Sequence, residues 1–191
     1  MERKIMENEN GVRLIREKFG YKNVGHLRFI GIDCKRAGIG CYQVKEAKER
    51  LSKFLDPLMD EYATDITDYC MIETRHGQFI DDYYQLYIIG KFFKPATPLP
   101  NKDWEQNFLY YYDIPTVNIG YGIYSGDENF GGDTFDAYVF TRDQIISDGK
   151  MFVGDTIPYP HDYWTAVQFI DGEPKKGQYR FGYIFGVGEL K

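Results

Sequence analysis

Tyr163-Trp164-Thr165-Ala166-Val167-Gln168-Phe169-Ile170-Asp171-Gly172 runs into a polar turn, Glu173-Pro174-Lys175-Lys176-Gly177. Gln178-Tyr179-Arg180-Phe181-Gly182-Tyr183-Ile184-Phe185-Gly186-Val187 follows. Two short runs rich in aromatic and β-branched residues around a Gly/Pro turn predict a β-hairpin. An earlier stretch has the same shape. Tyr69-Cys70-Met71-Ile72-Glu73-Thr74-Arg75 leads to a turn at Gly77, then to Tyr84-Gln85-Leu86-Tyr87-Ile88-Ile89-Gly90. Matching the two sets Tyr69 against Tyr163, Gly77 against Gly172 and Gly90 against Gly186. The chain therefore reads as a duplicated unit, with repeats at about 25–93 and 107–190.

Each hairpin follows a helical pattern. Val44, Ala47, Leu51, Phe54, Leu55, Leu58 and Tyr62 recur at helical spacing between charged residues. Asp56-Pro57 has the order of an N-cap and a first helical residue, so a kink or break is expected there. Asp133-Thr134 caps a second helix with an expected buried stripe of Phe135, Tyr138, Val139, Arg142, Ile145 and Ile146, ended by Gly149. A strand precedes each helix: His26 to Ile32 in the first copy, Val117 to Ile123 in the second. In the latter, Val117, Ile119, Tyr121 and Ile123 alternate with Asn118, Gly120 and Gly122. Glycines on one strand face either leave a groove floor or let another backbone approach closely. Phe108 to Asp113 reads as extended. Pro95, Pro98 and Pro100 mark a linker between copies, and Lys150 to Asp162 a connector. Residues 1–10 are polar and expected to fray; Gly11 to Tyr21 fits a short helix or an edge strand. The fold class is α+β: two β-α-β-β repeats forming an antiparallel sheet, helices on one face, a groove between the halves. Residues 1–23 form an N-terminal extension and 24–191 one domain.

Composition bounds the function. With 191 residues, 43% hydrophobic, the chain can bury a core. A net charge of −6 argues against a nucleic-acid surface, which needs clustered cations. Cys34, Cys41 and Cys70 have neither disulfide nor metal spacing, which fits a reducing cytoplasm. No apolar run is long enough to span a membrane, and residues 1–20 lack a signal-peptide core. His26, His76 and His161 lack metal spacing, and the Gly120-x-Gly122 region is not a phosphate loop. No metal and no cofactor is expected. The aromatic content is high, with 17 Tyr and 14 Phe; most of the tyrosines fit half-buried strand positions, and those beyond what a core needs suit a binding surface.

Ile114-Pro115-Thr116-Val117, leading into Gly120-Tyr121-Gly122-Ile123-Tyr124-Ser125-Gly126 and a helix, resembles the gyrase-inhibitory-protein-like small-molecule-binding superfamily. So do the closing strands, Tyr163 to Asp171 and Tyr179 to Val187. That group includes the effector-binding domains of AraC-type and MerR-type transcription activators. The resemblance covers residues 24–190. It implies a bacterial, cytoplasmic domain for transcription regulation or multidrug binding. Its ligand would be small, hydrophobic or cationic and aromatic. Members carry a glutamate in the first strand of the last hairpin, proposed as acid/base in those that hydrolyse. Thr165 to Phe169 holds no carboxylate, so that residue does not carry over, and binding is favoured over catalysis.

The candidate ligand-binding residues are Glu73, Tyr111, Tyr121, Trp164, Tyr183 and Phe185: rings for stacking, and one carboxylate in a strand to hold a cation. No catalytic residue is named. The expected function is a stand-alone binding domain for a flat, apolar, cationic molecule. The alternatives are a hydrolase of reactive small molecules on the same fold, or an inhibitor that binds a protein partner.

Overall fold

The computed structural model describes residues 3–40, 43–67, 69–76, 84–99, 105–114, 117–126, 134–152, 164–169, 181–185 and 187–189. Its elements are strands β1 (Lys4–Glu7), β2 (Arg13–Val24) and β3 (Leu27–Asp33), helices α1 (Cys34–Ala37) and α2 (Val44–Tyr62), and strands β4 (Tyr69–His76) and β5 (Tyr84–Phe93). After a short 3-10 turn at Glu105–Asn107 come β6 (Leu109–Ile114), β7 (Val117–Gly126), α3 (Thr134–Ser147), β8 (Lys150–Phe152), β9 (Trp164–Phe169), β10 (Phe181–Phe185) and β11 (Val187–Glu189). The class is α+β, with both hairpin strand pairs where the sequence places them. The expected turn at 172–177 lies outside the described residues.

Nine strands form one antiparallel sheet in the order β1-β2-β7-β10-β9-β4-β5-β3-β6. β8 and β11 make a separate two-stranded sheet at the start of the expected connector. Residues 1–23, read from the sequence as an extension, supply β1 and most of β2. β2 is neither a helix nor an edge: it hydrogen-bonds β1 on one side and β7 on the other.

The pairing of β2 and β3 with β7 and β6 closes the architecture. β2 pairs with β7 as far as Val24↔Val117. β3 resumes against β6 at Leu27↔Ile114, so one register continues across two residues in each chain. A single antiparallel ribbon thus supplies both ends of the sheet, which must curl for its ends to meet. A core confirms the curl. Val24, Ile119, Leu27, Phe29, Ile114, Cys70, Ile72, Ile88 and Phe92, from strands at both ends and in the middle, make one buried cluster on the face without helices. The other face carries the helices: Ile30, Ile32, Met71 and Ile89 pack under Val44, Ala47, Leu51 and Leu55 of α2.

The ribbon also fixes how the repeats correspond. Leu27 matches Val117, so Gly31 and its partner Gly90 match Tyr121 and its partner Tyr183. Cys70, which pairs with Gly90, then matches Ala166, which pairs with Tyr183. The pseudo-dyad passes between Met71 and Val167, which pair with each other. Val167 therefore corresponds to Met71 and not to Glu73, and Gly90 to Tyr183 and not to Gly186. Counting residues between glycines fails here because the matched strand positions are spaced differently along the chain, Cys70 to Gly90 against Ala166 to Tyr183.

Two helical expectations are corrected. α2 runs through Pro57 without a break. Pro57 lies on the exposed side, where solvent can reach the carbonyl that proline leaves without a donor. Among the described side chains of α3 the buried ones are Ala137, Phe140, Thr141 and Ile145, the last as expected, while Ile146 is 53% exposed; those of Phe135 and Tyr138 lie outside the described ones. The cause is in β7. A Cβ on Gly120 would lie 2.5 Å from Ile145 Cδ1, and one on Gly122 would lie 2.8 Å from Thr141 Oγ1. These glycines admit the helix's side chains closely and form no groove floor.

Candidate functional site

The interior face of the curled sheet lies between the halves. Strand alternation and register decide which residues belong to it. Tyr121 packs against the interior core. Its neighbours in register are Gly20 of β2 and Tyr183 of β10. Tyr183 pairs in turn with Ala166, two positions from Trp164, and Phe185 pairs with Ile119. Tyr121, Trp164, Tyr183 and Phe185 thus occupy positions on one face, which the helices do not cover. A Cβ at position 20 would sit 3.2 Å from the Tyr121 hydroxyl oxygen, so a bare glycine lets the ring lie across β2.

Tyr111 and Glu73 fall on the opposite face. Tyr111 is 40% exposed. The Arg28 guanidinium lies 5.2 Å from its ring centroid and grips the Asp113 carboxylate at 2.7 and 2.9 Å. That hydrogen-bonded pairing with Asp113 raises the pKa of Arg28. Position 73, paired with Tyr87 and Thr165, shares its parity with Tyr69 and Met71 of the helix-side core.

A tyrosine the sequence reading passed over takes the interior place. Tyr110 pairs with Gly31 and packs on the same interior core as Tyr121. The ribbon symmetry makes Gly20↔Tyr121 and Gly31↔Tyr110 equivalent pairs. Each half offers one Tyr opposite one Gly, with the chain that carries the ring exchanged. The signal was in Tyr110-Tyr111-Tyr112, but choosing among consecutive tyrosines requires the register.

Each of these rings carries a cation. Lys18 Nζ lies 5.4 Å from the Tyr121 centroid. The Arg36 guanidinium lies 5.7 Å from the Tyr110 centroid and donates from Nη1 to the Tyr110 hydroxyl. Among the described residues, the nearby acids already have partners. Lys22 Nζ meets Asp65 at 3.1 Å. Glu17 accepts from Arg3 at 2.6 Å and from Ser125 at 2.8 Å, bonds that lower its pKa. Asp33, buried, accepts from the Arg36 backbone N–H at 3.1 Å as the N-cap of α1. Among the described residues no group of His, Cys, Asp or Glu is placed to hold a metal ion. No helix among them is long and apolar enough to cross a membrane.

No protein-family model matches the sequence, and no curated protein matches it. The fold does have a relative among solved structures. The C-terminal domain of EcmrR superposes with a TM-score of 0.51 at 10% identity, over 91% of this chain and 98% of that domain. A weaker likeness, with a TM-score of 0.41 at 8% identity, covers 92% of this chain and 99% of the integron cassette protein VCH_CASS2, from the mobile metagenome of Vibrio cholerae. The first likeness makes this the fold of a known C-terminal domain.

Proposed function

We propose that the chain is a small-molecule-binding domain that holds a flat, apolar ligand on the interior face between its halves, in a regulatory rather than catalytic role. The observation that carries this reading is the convergence of Tyr121, Trp164, Tyr183 and Phe185 on one sheet face that the helices leave open. Stacking and apolar burial, worth roughly 25 cal/mol per Å² of apolar area, would supply the affinity. The fold shared with the EcmrR C-terminal domain is in keeping with it, as is the duplicated architecture that suggested an effector-binding domain. The residue expected to hold a positive charge on the ligand, Glu73, lies at a position on the other face, so the ring positions define the ligand class.

Titration with a neutral planar probe, N-phenyl-1-naphthylamine, tests the reading through probe fluorescence and thermal shift. Saturable binding weakened by Tyr121→Ala supports it. No binding, or binding untouched by that change in a folded variant, sinks it.

A further inference from the structure

We infer that the interior face selects an anionic ligand: a planar aromatic molecule bearing a carboxylate or sulfonate, engaged by Lys18 and Arg36. This rests on the small-molecule reading above and adds the sign of the ligand's charge.

The argument starts from the two equivalent Tyr–Gly pairs. Both rings abut one shared interior core. Beside each ring stands a basic side chain with hydrogen-bond donors to spare. Lys18 is exposed, and its ammonium is described only with the Tyr121 ring face. An ammonium has three donors, and a ring face satisfies none of them fully. Arg36 is 59% exposed at its side chain and uses Nη1 on Tyr110. Its Nε stands 3.8 Å from Asp33 Oδ2, beyond hydrogen-bond distance. A guanidinium carries five donors in a planar fork that suits a carboxylate.

Asp33 makes a 3.8 Å ion pair with Arg36 but does not occupy its fork. It is buried, its Oδ1 is committed to the α1 cap, and Oδ2 has no hydrogen-bond partner. Its charge therefore orients Arg36 without using up the fork. Asp65 and Glu17 are matched by Lys22 and Arg3. The chain as a whole is acidic, at −6, so basic groups at both equivalent rings run against the overall charge. A cationic molecule stacked on Tyr110 or Tyr121 would have to displace the resident cation from the ring face, whereas an anion adds to what is there.

Two probes sharing one ring skeleton separate charge from shape: anionic 8-anilinonaphthalene-1-sulfonate and neutral N-phenyl-1-naphthylamine. Cationic ethidium is the third. The expected order is sulfonate tighter than the neutral probe by roughly fivefold at low salt, with ethidium weakest. That preference should shrink in 0.5 M NaCl through screening. Lys18→Met and Arg36→Met, which keep the apolar stems, should each reduce sulfonate binding while leaving the neutral probe unchanged. Equal affinity for the two naphthyl probes, or sulfonate binding indifferent to both substitutions, overturns the charge assignment and leaves the binding site standing. Failure of all three probes to bind removes the site and the charge assignment together.

Discussion

The two halves share a backbone plan but place their strand glycines on opposite faces. In the first half, β3 presents Ile30 and Ile32 to the helix, β5 adds Ile89, and the interior positions between them are Gly31 and Gly90. In the second half, the matching helix-side positions are Gly120, Gly122 and Gly182, and the interior positions are Tyr121 and Tyr183. The helices follow suit. Leu51 and Leu55 of α2 press on isoleucines, while Thr141 and Ile145, at the matching steps of α3, settle over glycines. The lesson is that a duplicated scaffold fixes where volume is needed and not which strand or helix must supply it. On the interior face, positions 121 and 183 therefore carry tyrosine where the matching first-half positions carry Gly31 and Gly90. An exact repeat would not show that contrast.

Gly90→Ala attacks that contrast where the backbones are closest. A Cβ there would lie 2.0 Å from the Ile30 carbonyl oxygen and 2.5 Å from Gly31 Cα, and both atoms are main chain. The expected loss is about 3 kcal/mol or more, read by urea unfolding. A loss below about 1 kcal/mol would mean that the glycine pair does not set the approach of β3 to β5.

Leu51→Ala in the first half should cost about 3 kcal/mol, because it opens a cavity under rigid isoleucines. Thr141→Ala at the matching step should cost about half as much. It removes a small side chain and the 3.1 Å hydrogen bond shared with the Tyr124 hydroxyl. Equal costs, measured in the same denaturant series, would contradict the claim that the halves fill their helix interfaces differently.

Gly120→Ala should destabilise by about 2 kcal/mol, with Ile145 Cδ1 as the clashing atom. Adding Ile145→Val removes that carbon and should recover about 1 kcal/mol of the loss. A double-mutant cycle without coupling would show that sheet and helix do not compete for one volume.

The smallest effect belongs to Tyr69→Phe on the helix side of the first half. The Tyr69 hydroxyl is buried without a hydrogen-bond partner, so its removal should change stability by less than about 0.5 kcal/mol near neutral pH. Burial, reinforced by the Asp56 carboxylate, pushes its pKa up to about 12. The unfolded chain then ionises first, near the ordinary tyrosine value of about 10. Stability is unaffected below that pH and falls as pH rises toward 12. Tyr69→Phe should flatten part of that fall, and an unchanged slope would show that the hydroxyl is solvated.

Much of the fold was legible beforehand, because hydrophobic period and turn residues act locally. The α2 stripe of Val44, Ala47, Leu51 and Leu55, the two hairpins and the β7 alternation were all open to direct reading. β2 was ambiguous: Arg13 to Val24 mixes basic and apolar residues and contains a register shift between Arg16 and Lys18, which breaks strict alternation. Of the ring positions, Tyr121, Trp164, Tyr183 and Phe185 were named from composition and place in the chain. Tyr110 was missed beside Tyr111, and Lys18 and Arg36 gave no signal, since a basic residue's partner ring lies about a hundred or more positions away or, for Arg36, across a strand pair.

What the sequence determined alone is the inventory: two strand–helix–hairpin units, their helices, and an excess of aromatic residues. Those follow from interactions over a few residues, where period and propensity suffice. Only the tertiary structure decided which face each ring position occupies, how the repeats correspond, and that β2 pairs with β7 while β3 pairs with β6. A strand's side chains alternate every residue, so a one-position change in register moves each of them to the other face, and that register is set by pairing between segments far apart in the chain.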